Sequence, residues 1–183
     1  MLHHSGANTR ADYDHYAQIS LDCGYAVFRW DKRGTGRSGA GGRGSTTQDA
    51  IMAYKTAVET PDIDPNQVVI MAQCASTVLL GEAFEEFAKI LHPQGVILMS
   101  NMLEPDAVQA IDTRLYIIMG ELDWNEWRTY ARAACDSHNK ACNHGASYYI
   151  ARGADRMLMV NHDDEPVLHD GLSQAICGWL HSL

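Results

Sequence analysis

The sequence predicts an α/β fold, and three observations carry that prediction. Short apolar or β-branched runs alternate with longer segments of helical period, the pattern of parallel strands joined by crossover helices. Three of those runs are apolar almost throughout, as strands covered on both faces are. The chain has 183 residues, 46% of them hydrophobic, enough for one self-sufficient core and little room for a second. Residues 1–183 are therefore expected to form a single domain that needs neither disulfides nor a structural metal.

Five strands are expected: Tyr25 to Trp30, Val68 to Ala72, Gly95 to Met99, Leu115 to Met119 and Ser147 to Ala151. Helices are expected where apolar residues recur every three or four positions. Leu80, Phe84, Phe87 and Leu91 make one such stripe; Trp127, Tyr130, Ala131 and Ala134 make another. Leu168, Leu172, Ala175, Ile176, Trp179 and Leu180 make a third. Thr46, with Asp49 three residues on, marks the start of a helix through Ala50, Tyr54, Ala57 and Val58, and Gly24 suits the stop of an earlier helix near Cys23. Gly39 to Ser45 reads as a glycine-rich surface loop.

Composition narrows the partners. Fourteen basic against 23 acidic side chains give a net charge of −9, which repels phosphate backbones and anionic headgroups, so no nucleic acid or membrane surface is expected as a partner. No window approaches the roughly 20 apolar residues of a membrane span, and the first residues lack the pattern of a signal peptide. A cytoplasmic location follows as the expectation. Five cysteines, an odd number without the spacing of a small scaffold, argue against a disulfide framework. Cys135, His138, Cys142 and His144 fit no common zinc spacing, and the glycines from Gly34 are not followed by the Lys-Ser/Thr of a phosphate loop. Neither metal nor cofactor is expected.

Chemistry concentrates between Val68 and Thr77. An apolar strand runs through Ala72-Gln73-Cys74-Ala75-Ser76 directly into a helix, a small-x-nucleophile-x-small turn. Such a bend strains its central residue and needs small neighbours where strand and helix backbones close up. It exposes the central side chain at the sheet edge beside the positive end of a helix, where a thiolate is stabilised.

In these residues the chain resembles the α/β-hydrolases, and four further segments extend the likeness in that family's order. They are His3-His4-Ser5-Gly6, Asp31-Lys32-Arg33-Gly34-Thr35-Gly36-Arg37-Ser38, Met119-Gly120-Glu121-Leu122-Asp123 and Gly153-Ala154-Asp155-Arg156. The resemblance implies a three-layer sandwich around a mostly parallel sheet of about five to six strands. Only about fifteen residues separate the third and fourth expected strands, so no cap domain is expected. It also implies hydrolysis of an ester or related acyl bond in a small-molecule substrate. Cys74 would be the nucleophile and Asp123 the acid that orients a histidine, with the backbone N–H of Ala75 and of His4 or Ser5 forming the oxyanion hole.

The departures define the question. Arg156 stands where the family places its histidine, and a guanidinium cannot take a proton from a thiol near neutral pH. His162, six residues on, is the expected replacement base, ahead of His169. Alternatively Arg156 pairs with Asp123 and the chain is a catalytically silent relative that binds a ligand or partner. Ala72 and Ser76 replace the elbow's usual glycines, and His4 another. Only Met1-Leu2 precede His3, where the family has further strands. The gene product is truncated, or the Tyr25 to Trp30 strand shifts against Val68 to Ala72, or a partner covers the edge, as in a homodimer through an exposed sheet edge.

Overall fold

The computed structural model describes residues 1–3, 8–39 and 45–183. Its centre is a parallel sheet of four strands, β1 (Val69–Gln73), β2 (Gly95–Met99), β3 (Arg114–Gly120) and β4 (Ala146–Ala151), in the order β1-β2-β3-β4. Register is set by pairs such as Ile70 with Val96, Leu98 with Ile117, and Ile118 with Tyr149. Alternate residues point to opposite faces. Ile70, Ala72, Leu98 and Ile117 pack under α2 (Thr46–Val58), α3 (Ala75–Ile90) and α4 (Ala134–Ala141). Met71, Ile97, Met99 and Ile118 pack under α1 (Asp14–Asp22) and α5 (Gly171–Leu180). The result is three layers with the site-bearing strand ends along one edge. Among the described residues no helix is long and apolar enough to cross a membrane.

The helices form for the reasons their sequence gives. Leu80, Phe84 and Phe87 of α3 are buried against the sheet, and Leu172, Ile176, Trp179 and Leu180 of α5 do the same opposite. Cys23 and Gly24, the latter at φ 86°, end α1. The cap of α2 lies one residue before the expected Thr46–Asp49 signal. Ser45 accepts from the Gln48 N–H at 3.2 Å, and the Gln48 side chain accepts from the Ser45 N–H at 3.0 Å. A π-helical turn, Arg128–Ala133, precedes α4. Between β2 and β3 a short 3₁₀ turn, Ala107–Ala110, is the regular structure present, and no cap domain is built there.

Four expectations are corrected. Tyr25 to Trp30 has no regular secondary structure and joins no ladder among the described residues, where β1 meets only a single bridge from Leu2 on that side; the sheet therefore has four strands rather than five or six. The loop expected after β4 is a hairpin of β5 (Met159–His162) and β6 (Glu165–Leu168), turned by Asp163 and Asp164, both at positive φ. Leu168 thus ends a strand rather than opening α5. Cys23 and Cys177 form a disulfide between the end of α1 and α5, helices that pack together on one face. The Gly39–Ser45 loop falls largely outside the described residues.

Candidate active site

The elbow is built as its sequence requires. Cys74 holds φ 52° and ψ −121° between β1 and α3, a conformation that costs a non-glycine residue about 1–3 kcal/mol and persists only where the surroundings enforce it. They do: the Cys74 N–H donates to the Met99 carbonyl at 2.9 Å, and its own carbonyl accepts from both the N–H and the hydroxyl of Thr77. Ala72 is fully buried, and the Ser76 hydroxyl donates to the His3 carbonyl, tying the turn to the first described residues.

Asp123 follows the end of β3. A Cβ on Gly120 would collide with the carbonyls of Ala154 and Asp155, so only glycine lets the loop after β4 cross so close. That crossing delivers Arg156 to Asp123. The guanidinium donates from Nη1 to Asp123 Oδ1 at 2.8 Å, and the Asn125 N–H donates to the same oxygen at 3.0 Å. The Asp123 carboxylate is fully buried and the Arg156 side chain nearly so. Asp123 Oδ2 is buried with no partner. Trp124, itself exposed, carries the guanidinium on its ring face at 5.0 Å.

Cys74 sits against this pair with its side chain buried. Burial pushes the thiol above its ordinary value; the neighbouring Arg156 charge and hydrogen bonds from Arg156 and Ser100 act the other way, and Asp123 adds to the rise. Desolvation wins, so at neutral pH the site holds a thiol. Ser100 gave no motif in the sequence. It follows β2 at φ 50°, and its hydroxyl donates to the Arg156 carbonyl. Its one signal was position, immediately after a fully buried strand.

The remaining site residues divide. Ala75 opens α3, a sixteen-residue helix, directly after Cys74. His4 and Ser5 lie outside the described residues. His162 is not brought to the thiol: it ends β5 at the hairpin tip, its side chain 75% exposed and paired with Asp163 at 3.1 Å. Among the described residues no hydrogen bond joins His162 to Cys74. His169 bonds locally to the Gly171 N–H. The nearby His3 is stacked between Tyr13 and Trp30, and burial lowers its pKa to about 4. Asp31 does what its motif needs, accepting from the N–H groups of Arg10 and Arg37 while Gly36, at φ 52°, leaves room for the carboxylate.

No family model matches the sequence, and no curated protein does. Solved structures do match in shape. One is described as a predicted CIB-like hydrolase from Thermoplasma acidophilum, 17% identical, with a TM-score of 0.67 over 100% of this chain and 85% of that one. Another is a monoacylglycerol lipase from Paleococcus ferrophilus, 13% identical, with a TM-score of 0.69 over 99% of this chain and 93% of that one. The chain has the α/β-hydrolase fold. Within it Cys74 lies at the turn between β1 and α3, with the Asp123–Arg156 pair beside it.

Proposed function

We propose that the chain cleaves esters or related acyl bonds with Cys74 as nucleophile, its thiolate formed by solvent hydroxide rather than by an imidazole. The observation that carries this reading is the strained, enforced backbone of Cys74 at the head of α3, a geometry that presents a nucleophile to the N–H groups of a helix start. The thiolate attacks the acyl carbon, the Ala75 N–H steadies the oxyanion, the alkoxide leaves and takes a proton from water, and hydrolysis of the thioester restores the thiolate. Arg156 acts by charge, favouring the thiolate without accepting its proton.

A second reading has its own support. The closed Arg156–Asp123 pair and the buried, raised thiol suit a relative that binds without turning over. Hydrolysis of p-nitrophenyl acetate at pH 9 separates the two. The nucleophile reading expects Cys74→Ala to abolish a rate that wild type shows, together with a trapped acyl-Cys74 by mass spectrometry. Equal rates and no acyl adduct leave the binding reading.

A further inference from the structure

The starts of α2 and α3 share a cavity of about 270 Å³: Thr46 opens α2, Ala75 and Ser76 open α3, and all three line it. The first N–H groups of a helix have no partner within the helix and carry its positive dipole end. His3 also lines the cavity. It is 2% exposed, its ring faces covered by Tyr13 at 4.6 Å and Trp30 at 4.8 Å. Among the described residues neither of its ring nitrogens has a hydrogen-bond partner. Buried polar atoms are almost always paired, so these two nitrogens mark a place for a polar guest. At neutral pH the ring is uncharged, its pKa lowered by burial to about 4, and one nitrogen donates while the other accepts. The remaining walls set the guest's charge. Arg33 and Asp49 pair with each other, Nε to Oδ2 at 2.5 Å and Nη2 to Oδ1 at 2.6 Å. Lys32, half-buried and with its ammonium held below its ordinary value by burial, leaves the cavity one positive charge in excess. A carboxylate carries one negative charge, whereas a phosphate group carries about 1.5 to 2 at pH 7. Trp30, Ala50 and Leu79 supply apolar wall for a hydrocarbon stem.

We propose that this cavity binds the free carboxylate of a half-ester, so that the substrate is an ester bearing one carboxylate at the far end of an alkyl chain. Lys32 supplies the counter-charge, the His3 N–H and the N–H groups at the two helix starts donate to the carboxylate oxygens, and the apolar walls take the methylenes. Ala75 follows Cys74 directly, so a chain held by its carboxylate carries its ester end toward the nucleophile. The substrate class rests on the hydrolase reading; the carboxylate site does not.

The probe is monoethyl adipate, with diethyl adipate as its uncharged counterpart. Binding is read by titration calorimetry at pH 7 on the Cys74→Ala chain, where no turnover interferes. The half-ester is expected to bind at least about tenfold tighter than the diester, a margin that Lys32→Gln erases and Lys32→Arg keeps. His3→Phe, which retains the ring stack but not the nitrogens, is expected to weaken half-ester binding about tenfold as well. Equal binding of the two esters, or a half-ester affinity indifferent to Lys32→Gln, overturns the proposal. Displacement of the half-ester by inorganic phosphate at a lower concentration than by acetate overturns the carboxylate assignment. Turnover by wild type is followed separately as ethanol released at pH 9. Selective binding without ethanol release overturns the hydrolase reading and leaves the carboxylate site standing; equal release from both esters without selective binding does the reverse.

Discussion

The Arg156 guanidinium holds the buried Asp123 carboxylate at 2.8 Å beside the Cys74 thiol. Asp123 is thus oriented and neutralised by a cation rather than by an imidazole. Arg156 donates hydrogen bonds in every protonation state available to it and accepts none, so it can hold Asp123 but cannot take a proton from the thiol.

Arg156→His is expected to restore the missing step. An imidazole in that seat can accept the thiol proton while Asp123 fixes its tautomer, and general-base catalysis of this kind is worth about 10²-fold or more. p-Nitrophenyl acetate hydrolysis at pH 7.5 should rise accordingly, and the double variant with Cys74→Ala should lose the gain. An unchanged rate in a folded variant shows that residue 156 does not reach the thiol productively.

The pH dependence has a defined sign. Burial raises the Cys74 thiol, so the attacking thiolate is scarce at pH 7. The wild-type rate should climb with pH through and beyond the ordinary thiol range near ~8.5. Stability moves the opposite way. The folded chain keeps the proton that the unfolded chain releases, so this contribution is complete below the unfolded value and is lost as pH rises through the folded one. Rate and urea midpoint measured from pH 7 to 10 check both; a rate falling with pH removes thiolate attack.

What the sequence disclosed follows from how local each constraint is. β2 spans Gly95–Met99 as expected, since a run buried on both faces can only be a central strand. The strained turn at Cys74 was legible because a strand running straight into a helix through small residues writes a short motif. Tyr25–Trp30 has strand chemistry yet forms no ladder among the described residues, because a ladder depends on a neighbour that its own residues do not specify. The hairpin that carries His162 was not legible because a turn of Asp163 and Asp164 carries no glycine to announce two positive φ angles. Ser100 depends on a contact across 56 residues to Arg156, which no spacing reveals.

Asp123→Ala should destabilise strongly. It leaves a guanidinium, its side chain 10% exposed, without its counter-ion, and breaking a buried pair this way costs about 3–5 kcal/mol. The double replacement Asp123→Leu with Arg156→Met should recover most of that loss, since it removes the unpaired charge as well as the pair. Urea unfolding of the three proteins measures this; a single variant as stable as wild type would mean that solvent reaches Arg156.

The Cys23–Cys177 bond closes a loop of sequence separation 154 between α1 and α5. A crosslink of that span stabilises by about 2–5 kcal/mol, mainly by restricting the unfolded chain, which at this chain length corresponds to a fall in Tm of roughly 5–15 °C on reduction. Bonds of this kind persist in oxidising compartments and are rare in the cytosol, so the pair also bears on where the chain works. Thiol titration of the unfolded, unreduced protein should find Cys74, Cys135 and Cys142 free, with five thiols after dithiothreitol treatment. Cys23→Ser should match the reduced wild type in Tm, whereas Cys135→Ser should leave the redox-dependent shift intact. Five thiols before reduction would show that the packing of α1 on α5 holds these ends together without a covalent bond.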